Sequence, residues 1–267
     1  METLANFNLK DEIRDYWSQR AETFDSQPGH EIFSEDERAA WHALFHRHLG
    51  SGKQRTALDL ASGTGVISHL LDDLGFHVTG LDWAEPMLER AREKAKIRKR
   101  DIRFVMGDAE RTLENPDSYD VVTCRHLVWT LVDPLAAFHE WFRILKPGGQ
   151  VLIIDGDFVN PGLFNRIIAR ISAILGMASR SSARGDGHKP ANMMETHRSI
   201  VSRVYFSKGA RAQDVAALLE QAGFTGIAID TNMRRIHRTQ ARNFSLLKGL
   251  ERATQHRYAI CARKPAT

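Results

Sequence analysis

The chain has 267 residues, 42% of them apolar and 26% charged, with a formal net charge of +4 and a pI near 9.2. That balance excludes wholesale disorder, and the length allows one large domain or two small ones. No apolar run approaches the roughly 18 residues of a membrane span. Two cysteines, Cys124 and Cys261, are too few for a disulfide scaffold or a zinc finger, and no metal site is expected. The opening METLANFNLKDEIRDYW has no apolar signal core and carries acids early, so a cytoplasmic, reducing setting is expected. The mildly basic charge is compatible with acidic substrates without requiring nucleic acid.

Residues 1–55 read as an N-terminal helical cap. One helix is expected over Asp11–Phe24 and a second over Ser34–Leu49, with Ser34 as N-cap and acids in the first turn. Residues 56–155 alternate strand and helix. Strands are expected at Thr56–Leu60, His77–Leu81, Ile102–Met106, Tyr119–Cys124 and Val151–Ile154. Helices are expected at Val66–Leu74, Glu85–Lys96 and Pro134–Leu145, the last stopped by Lys146-Pro147-Gly148-Gly149. Such alternation implies βαβ units and a parallel sheet buried on both faces.

Residues 156–208 break the rhythm. Leu163–Met177 reads as an amphipathic helix, and the polar tract ASRSSARGDGHKPAN after it is expected to be mobile. Residues 209–267 return to the pattern, with a helix at Arg211–Ala222, strands at Thr225–Asp230 and Tyr258–Ala262, and partial helix near Asn243–Leu250.

The most informative segment is Ala57-Leu58-Asp59-Leu60-Ala61-Ser62-Gly63-Thr64-Gly65. A buried strand enters a glycine-rich turn and then a helix, whose first N–H groups are free to meet a ligand. Asp82, 19 residues after Gly63, stands at the end of the next strand, where a carboxylate can accept both ribose hydroxyls of a nucleoside. The dinucleotide fingerprint wants a third small residue, and Ser68 stands there instead. Asp59 would repel a pyrophosphate but suits a ligand with an ammonium group.

At this point the chain resembles the class I S-adenosylmethionine-dependent methyltransferases. ALDLASGTG is similar to their first motif, with Ala61 where glycine is usual. Val78–Leu88 resembles the second motif and Val105–Glu110 the adenine-side motif. Tyr119–Val122 resembles the fourth strand, and Arg143–Gly149 the turn before the fifth. The closest flavour is the small-molecule branch that includes quinone-biosynthesis methyltransferases. The resemblance implies an α/β, Rossmann-like, doubly wound and mostly parallel seven-stranded sheet with helices on both faces. It also implies an S-adenosylmethionine-binding core at 56–155, a lid or acceptor-binding insertion at 156–208, and a helix and β-hairpin at 209–267 that complete the sheet.

It further implies roles for individual residues. Asp59 would face the methionine amino group. Ala61 and Gly63 would line the methionyl and ribose path, and Asp82 would hold the ribose. Trp83 and Met87 would sandwich adenine, with Asp108 accepting its amine and Ala109 nearby. Cys124 or Arg125 would contact the methionyl end. Tyr16 and Arg20, four apart on one helix face, would meet the methionyl carboxylate.

His126 is the candidate general base, or else a histidine packed on the sheet end. Trp129 is a pocket wall or core, and Thr130 stands where relatives often have histidine. Met177, Met193, Met194 and Tyr205 could form an adaptable acceptor wall, or ordinary core.

Arg234, Arg235, His237, Arg238, Arg242, Lys248, Arg252 and Arg257 make a basic stretch opposed only by Glu251. It could be a solvated surface, or serve an anionic acceptor such as a carboxylate or phosphate. Stacking aromatics are too sparse there to favour a nucleic-acid reader. The expected partner is a small-molecule acceptor, with the chain a monomer or homodimer. An RNA-modifying methyltransferase and a nicotinamide-dependent oxidoreductase are the alternatives. The acceptor atom, N, O, S or C, is not legible.

Overall fold

A computed structural model describes residues 2–160 and 191–266. The expected helix Leu163–Met177 lies outside the described residues, as do Met177 and all but the last two residues of the polar tract.

The alternating segments form one seven-stranded sheet in the order β3-β2-β1-β4-β5-β7-β6. The strands are β1 (Thr56–Leu60), β2 (His77–Asp82), β3 (Arg103–Met106), β4 (Tyr119–Arg125), β5 (Leu145–Gly156), β6 (Thr225–Asp230) and β7 (Arg257–Arg263). β1 pairs in parallel with β2 and β4, while β7 runs antiparallel to both β5 and β6. The doubly wound α/β architecture is therefore as expected. The short apolar runs of β1, β4 and β5 are buried throughout their central residues, because helices cover both faces.

The helices are α1 (Glu2–Arg20), α2 (Glu35–Leu49), α3 (Val66–Asp73), α4 (Glu85–Ile97) and α5 (Pro134–Ile144), followed by α6 (Ala191–Arg203), α7 (Ala212–Gln221), α8 (Arg234–Ala241) and α9 (Leu246–Ala253). The Ser34 side chain accepts the Glu37 amide at 3.2 Å, the expected cap of α2. Asp133 does the same for α5, with Pro134 in its first turn.

Period-two alternation sorts the strand residues into two cores. Leu58, Leu60, Val122, Cys124 and Ile153 pack with Phe138, Trp141, Val215 and Leu219 of α5 and α7. Ala57, Val121, Leu152 and Ile154 pack on the other face with Trp41 and Phe45 of α2 and Leu70 and Leu71 of α3.

Three expectations change. The first helix begins earlier and ends at Arg20, giving way to a 3₁₀ turn at Ala21–Thr23. Lys146–Gly149 ends α5 but does not separate it from the strand. Tyr119 pairs with Leu145 and Val121 with Gln150, so the four residues bulge from a strand that has already begun. Helix α6 was not expected. Its Ile200, with Val204 just beyond its end, packs on Leu9, Ile13 and Tyr16 of α1, and Arg203 is 2.6 Å from Glu12. The periodicity of α6 was obscured by the polar tract running into it. No described helix is long and apolar enough to cross a membrane.

Candidate active site

Beyond the carboxyl ends of β1, β2 and β4 lies a crevice of about 820 Å³. Its position follows from topology: β1 lies between β2 and β4, so the chain leaves it in opposite directions and the loops part there.

The turn after β1 forms the floor. Ala61 and Gly63 have φ of 49° and 56°, and Gly65 has φ of 85°. A Cβ on Gly63 would meet only the Phe24 ring at 3.8 Å, so this backbone is open to the crevice. A Cβ on Gly65 would strike Phe104 at 2.9 Å; that glycine serves helix packing instead. Ser62 lines the crevice, and its buried Oγ has no partner.

Asp82 reaches the same floor. One of its carboxylate oxygens accepts the Gly63 amide and the other the Ala84 amide, each at 2.8 Å. Burial raises its pKa, and the amide hydrogen bonds oppose the shift. Asp59 is 1% exposed and lines the crevice, accepting from Ser68 Oγ at 2.6 Å. Burial drives its pKa up to about 7.

Trp83, Met87, Asp108 and Ala109 also line the crevice. Lys10 of α1 spans this end. Its Nζ is 2.8 Å from both Asp108 and Glu110 and lies 5.7 Å from the centre of the Trp83 ring. The lysine holds one Asp108 oxygen, and the Glu110 amide bonds the other.

At the tip of β4 the expectations divide. Arg125 lines the crevice, donating to the carbonyls of Gly29 and His30 and lying over Trp41. Cys124 does not line it. As the preceding residue it points to the opposite face, fully buried among Leu60, Val128 and Tyr258, with its thiol pKa pushed up by burial. His126 lines the crevice with φ of 59°, unusual for a residue with a Cβ. Its ring stands edge-on to Phe158 at 5.4 Å. Burial, then Arg257, Arg125 and Arg252, depress its pKa well below that of free histidine.

Helix α1 is rotated from the expected setting. Lys10, Ile13, Trp17 and Arg20 face the crevice, whereas Tyr16 turns toward α6. Tyr16 is buried, stacks on His197 at 5.6 Å and accepts a 3.4 Å hydrogen bond from Arg20. It supports the arginine from behind. Lys10, Ile13, Trp17 and Arg20 are spaced by three and four and so share this face.

Trp129 and Thr130 line the crevice; Met193, Met194 and Tyr205 do not. Tyr205 is 57% exposed, and α6 instead contributes His197, Arg198, Val201 and Ser202. The basic stretch splits as well. Arg234, Arg235, Arg238 and Arg242 are exposed, while Arg252 and Arg257 turn inward and line the crevice. Phe24, His30, Phe158 and Phe244 line it too, each from a loop and none of them assigned to the crevice from sequence, where Phe244 is only the main aromatic of the basic stretch.

The strand order, with its reversed β7 and a glycine-floored crevice at the β1 tip, defines a class I methyltransferase fold. Residues 58–153 match the family described as a methyltransferase domain. A demethylmenaquinone methyltransferase of Renibacterium salmoninarum is 29% identical over 155 residues, 57% of this chain and 64% of that protein. One from Staphylococcus aureus strain MRSA252 is 31% identical over 142 residues, 52% and 58% of the two chains. The aligned region thus spans less than two thirds of these relatives.

Among solved structures, phosphoethanolamine N-methyltransferase 2 of Haemonchus contortus, in complex with S-adenosyl-L-methionine, superposes with a TM-score of 0.64 at 17% identity. The match covers 94% of this chain and 60% of that one. The PH0226 protein of Pyrococcus horikoshii OT3 gives 0.56 at 22% identity, covering 92% and 98%. Over residues 58–153 the chain is thus similar to a methyltransferase domain, on a fold shared with S-adenosylmethionine-dependent methyltransferases.

Proposed function

We propose that the chain transfers a methyl group from S-adenosylmethionine to a nucleophilic atom of a small-molecule acceptor. The observation that carries this reading is the Asp82 carboxylate set beside the open backbone of Gly63 on the crevice floor. The residues suit a cationic sulfur nucleoside. Ser62 lines the same floor, and Asp59 offers a carboxylate to an ammonium group. A volume of about 820 Å³ suits a ligand pocket of the usual several hundred Å³.

Asp82 would accept the ribose hydroxyls, with Ala61 and Gly63 along the path. Trp83, Met87, Asp108 and Ala109 would surround adenine. Asp59, Arg20 and Arg125 would attend the methionyl end. Cys124 and Tyr16 have no part in this assignment.

When bound, S-adenosylmethionine supplies an activated methyl on a sulfonium, so the chain has only to position a nucleophile in line and exclude water. Positioning of that kind is worth up to roughly 7–11 kcal/mol. Trp17, Phe24, Trp129 and Phe158 would provide the apolar walls. His126, neutral because its pKa is depressed, would take a proton from an acceptor that carries one.

The demethylmenaquinone acceptors named for the relatives support a small organic acceptor. The inward turn of Arg252 and Arg257 takes two cations out of the surface that a nucleic acid would need. Calorimetry with S-adenosylmethionine and S-adenosylhomocysteine tests the cofactor. Transfer of label from a methyl-labelled donor to a metabolite panel tests the activity. Saturable binding of a nicotinamide cofactor, with no response to either sulfur nucleoside, would overturn the reading.

A further inference from the structure

Three arginines converge on the crevice wall formed by the tip of β4 and the start of β7, and they are not equally occupied. Arg125 donates to the backbone carbonyls of Gly29 and His30. Arg252 gives Nε and Nη2 to Gln240 Oε1 at 3.2 and 3.1 Å, and Nη1 to Gln255 Oε1 at 3.0 Å. Arg257, 5% exposed, shares that Gln240 oxygen through Nη1 at 3.4 Å. Its Nε and Nη2 are buried without a partner.

The carboxylates nearby are committed elsewhere. Glu37 accepts from the Gln240 side chain and the Phe33 amide. Asp155 accepts the amides of Gly156 and Val128. Asp59 accepts from Ser68. Asp155 and Glu37 act on Arg257 only through space, so two donors of a buried cation are left without an acceptor, which is costly, and a fold that keeps them implies an acceptor from elsewhere.

The two unpaired nitrogens form one edge of the guanidinium. That edge grips two oxygens of one carboxylate or phosphate through parallel hydrogen bonds. The surroundings give the rest of such a molecule a direction. The Phe158 ring is 5.9 Å from Arg257 Cζ and 5.4 Å from the His126 ring. The His30 Nδ1 atom on the same wall is also buried without a partner.

We propose that Arg257 determines acceptor specificity: its Nε–Nη2 edge binds the oxyanion of a carboxylate- or phosphate-bearing small molecule and lays it along Phe158 toward His126. This rests on the methyltransferase reading, because acceptor and donor must share the crevice.

The test is calorimetry on the full chain in two stages. S-adenosylhomocysteine is titrated first. Benzoate, phenyl phosphate and the neutral control benzamide are then titrated into the loaded protein. One or both anions should bind saturably and benzamide should not; the preferred anion distinguishes a carboxylate acceptor from a phosphate one. Arg257→Gln should weaken anion binding about tenfold or more while S-adenosylhomocysteine still binds. Arg257→Lys, which keeps the charge but not the fork, should recover only part of the loss.

Equal binding of benzamide and the anions overturns the proposal, as does either variant binding them like the native protein. Should the glutamine variant fail to fold, the native comparison and the lysine variant decide. Anion binding that needs Arg257 without any S-adenosylhomocysteine binding would leave the anion site but sink the methyltransferase reading and with it the acceptor role. Nucleoside binding without anion preference would sink only the present inference.

Discussion

The Asp82 carboxylate accepts the Gly63 amide at 2.8 Å, tying the tip of β2 to the turn after β1. Loss of its charge should strike cofactor binding twice, by removing a ribose acceptor and by freeing the turn. Asp82→Asn is expected to weaken S-adenosylhomocysteine by about 2–3 kcal/mol, taking charged hydrogen bonds at roughly 1.5–3 kcal/mol each. Calorimetry measures the loss. A change below about threefold, ~0.7 kcal/mol, would remove Asp82 from the site.

Asp59 carries a pKa of about 7 because it is buried. A ligand ammonium beside it would favour the ionised form and lower that pKa. Below pH 7, binding must therefore release a proton, and affinity should fall toward acid by up to about tenfold per pH unit. Calorimetry at pH 6 in buffers of different ionisation enthalpy counts the proton. Without ligand the sign is the reverse of the usual carboxylate case. Asp59 and Asp155, both near 7 when folded, bind more protons in the native than in the unfolded chain. Their contribution to stability is present below the unfolded pKa and declines as pH rises from about 4 to 7. Aspartate-to-asparagine variants at each position should flatten that decline in thermal melts.

His126 should remain neutral well below pH 6.5, since burial and three arginines depress its pKa. Its protonation should be absent from the rate profile between pH 6 and 8, and NMR of the imidazole should show no titration there. Asparagine tolerates the left-handed backbone at this position. His126→Asn is therefore expected to keep the fold while lowering kcat by about 10²–10⁴ for a protic acceptor. An unchanged kcat would show that the acceptor needs no base from this residue.

Neighbouring residues on α1 should behave differently. Arg20→Gln is expected to weaken cofactor binding about tenfold, ~1.4 kcal/mol, by loss of a charged contact. Tyr16→Phe loses only its 3.4 Å bond from Arg20 and should change affinity by less than about twofold, ~0.4 kcal/mol. Equal losses in both would place the tyrosine in the crevice.

Cys124 is packed beneath the sheet, out of reach of solvent and ligand. Thiol reagents should leave it unmodified in the native protein. Cys124→Ser is expected to cost about 1–3 kcal/mol of stability, the price of a buried unpaired hydroxyl, while cofactor affinity is unchanged. Denaturant melts and calorimetry separate the two effects.

Much of the crevice was legible before any coordinates because its floor is local. A strand, a glycine turn and a helix follow one another in Ala57–Ser68, and Asp82 ends the next strand. Period-two alternation could also have separated Cys124 from Arg125, but only if the face of β4 bearing each core were known. That knowledge comes from α2 and α5, which cover opposite sides.

Sequence by itself determined the alternation of strands and helices, the open turn at Gly63 and the acid beside it, since each depends on neighbouring residues. Tertiary structure alone decided that Trp17 rather than Tyr16 meets the crevice, and that Arg252 and Arg257 turn inward beside Arg125. Those outcomes are set by which distant surfaces cover a side chain, and a chain read residue by residue contains the cations without the walls that bury them.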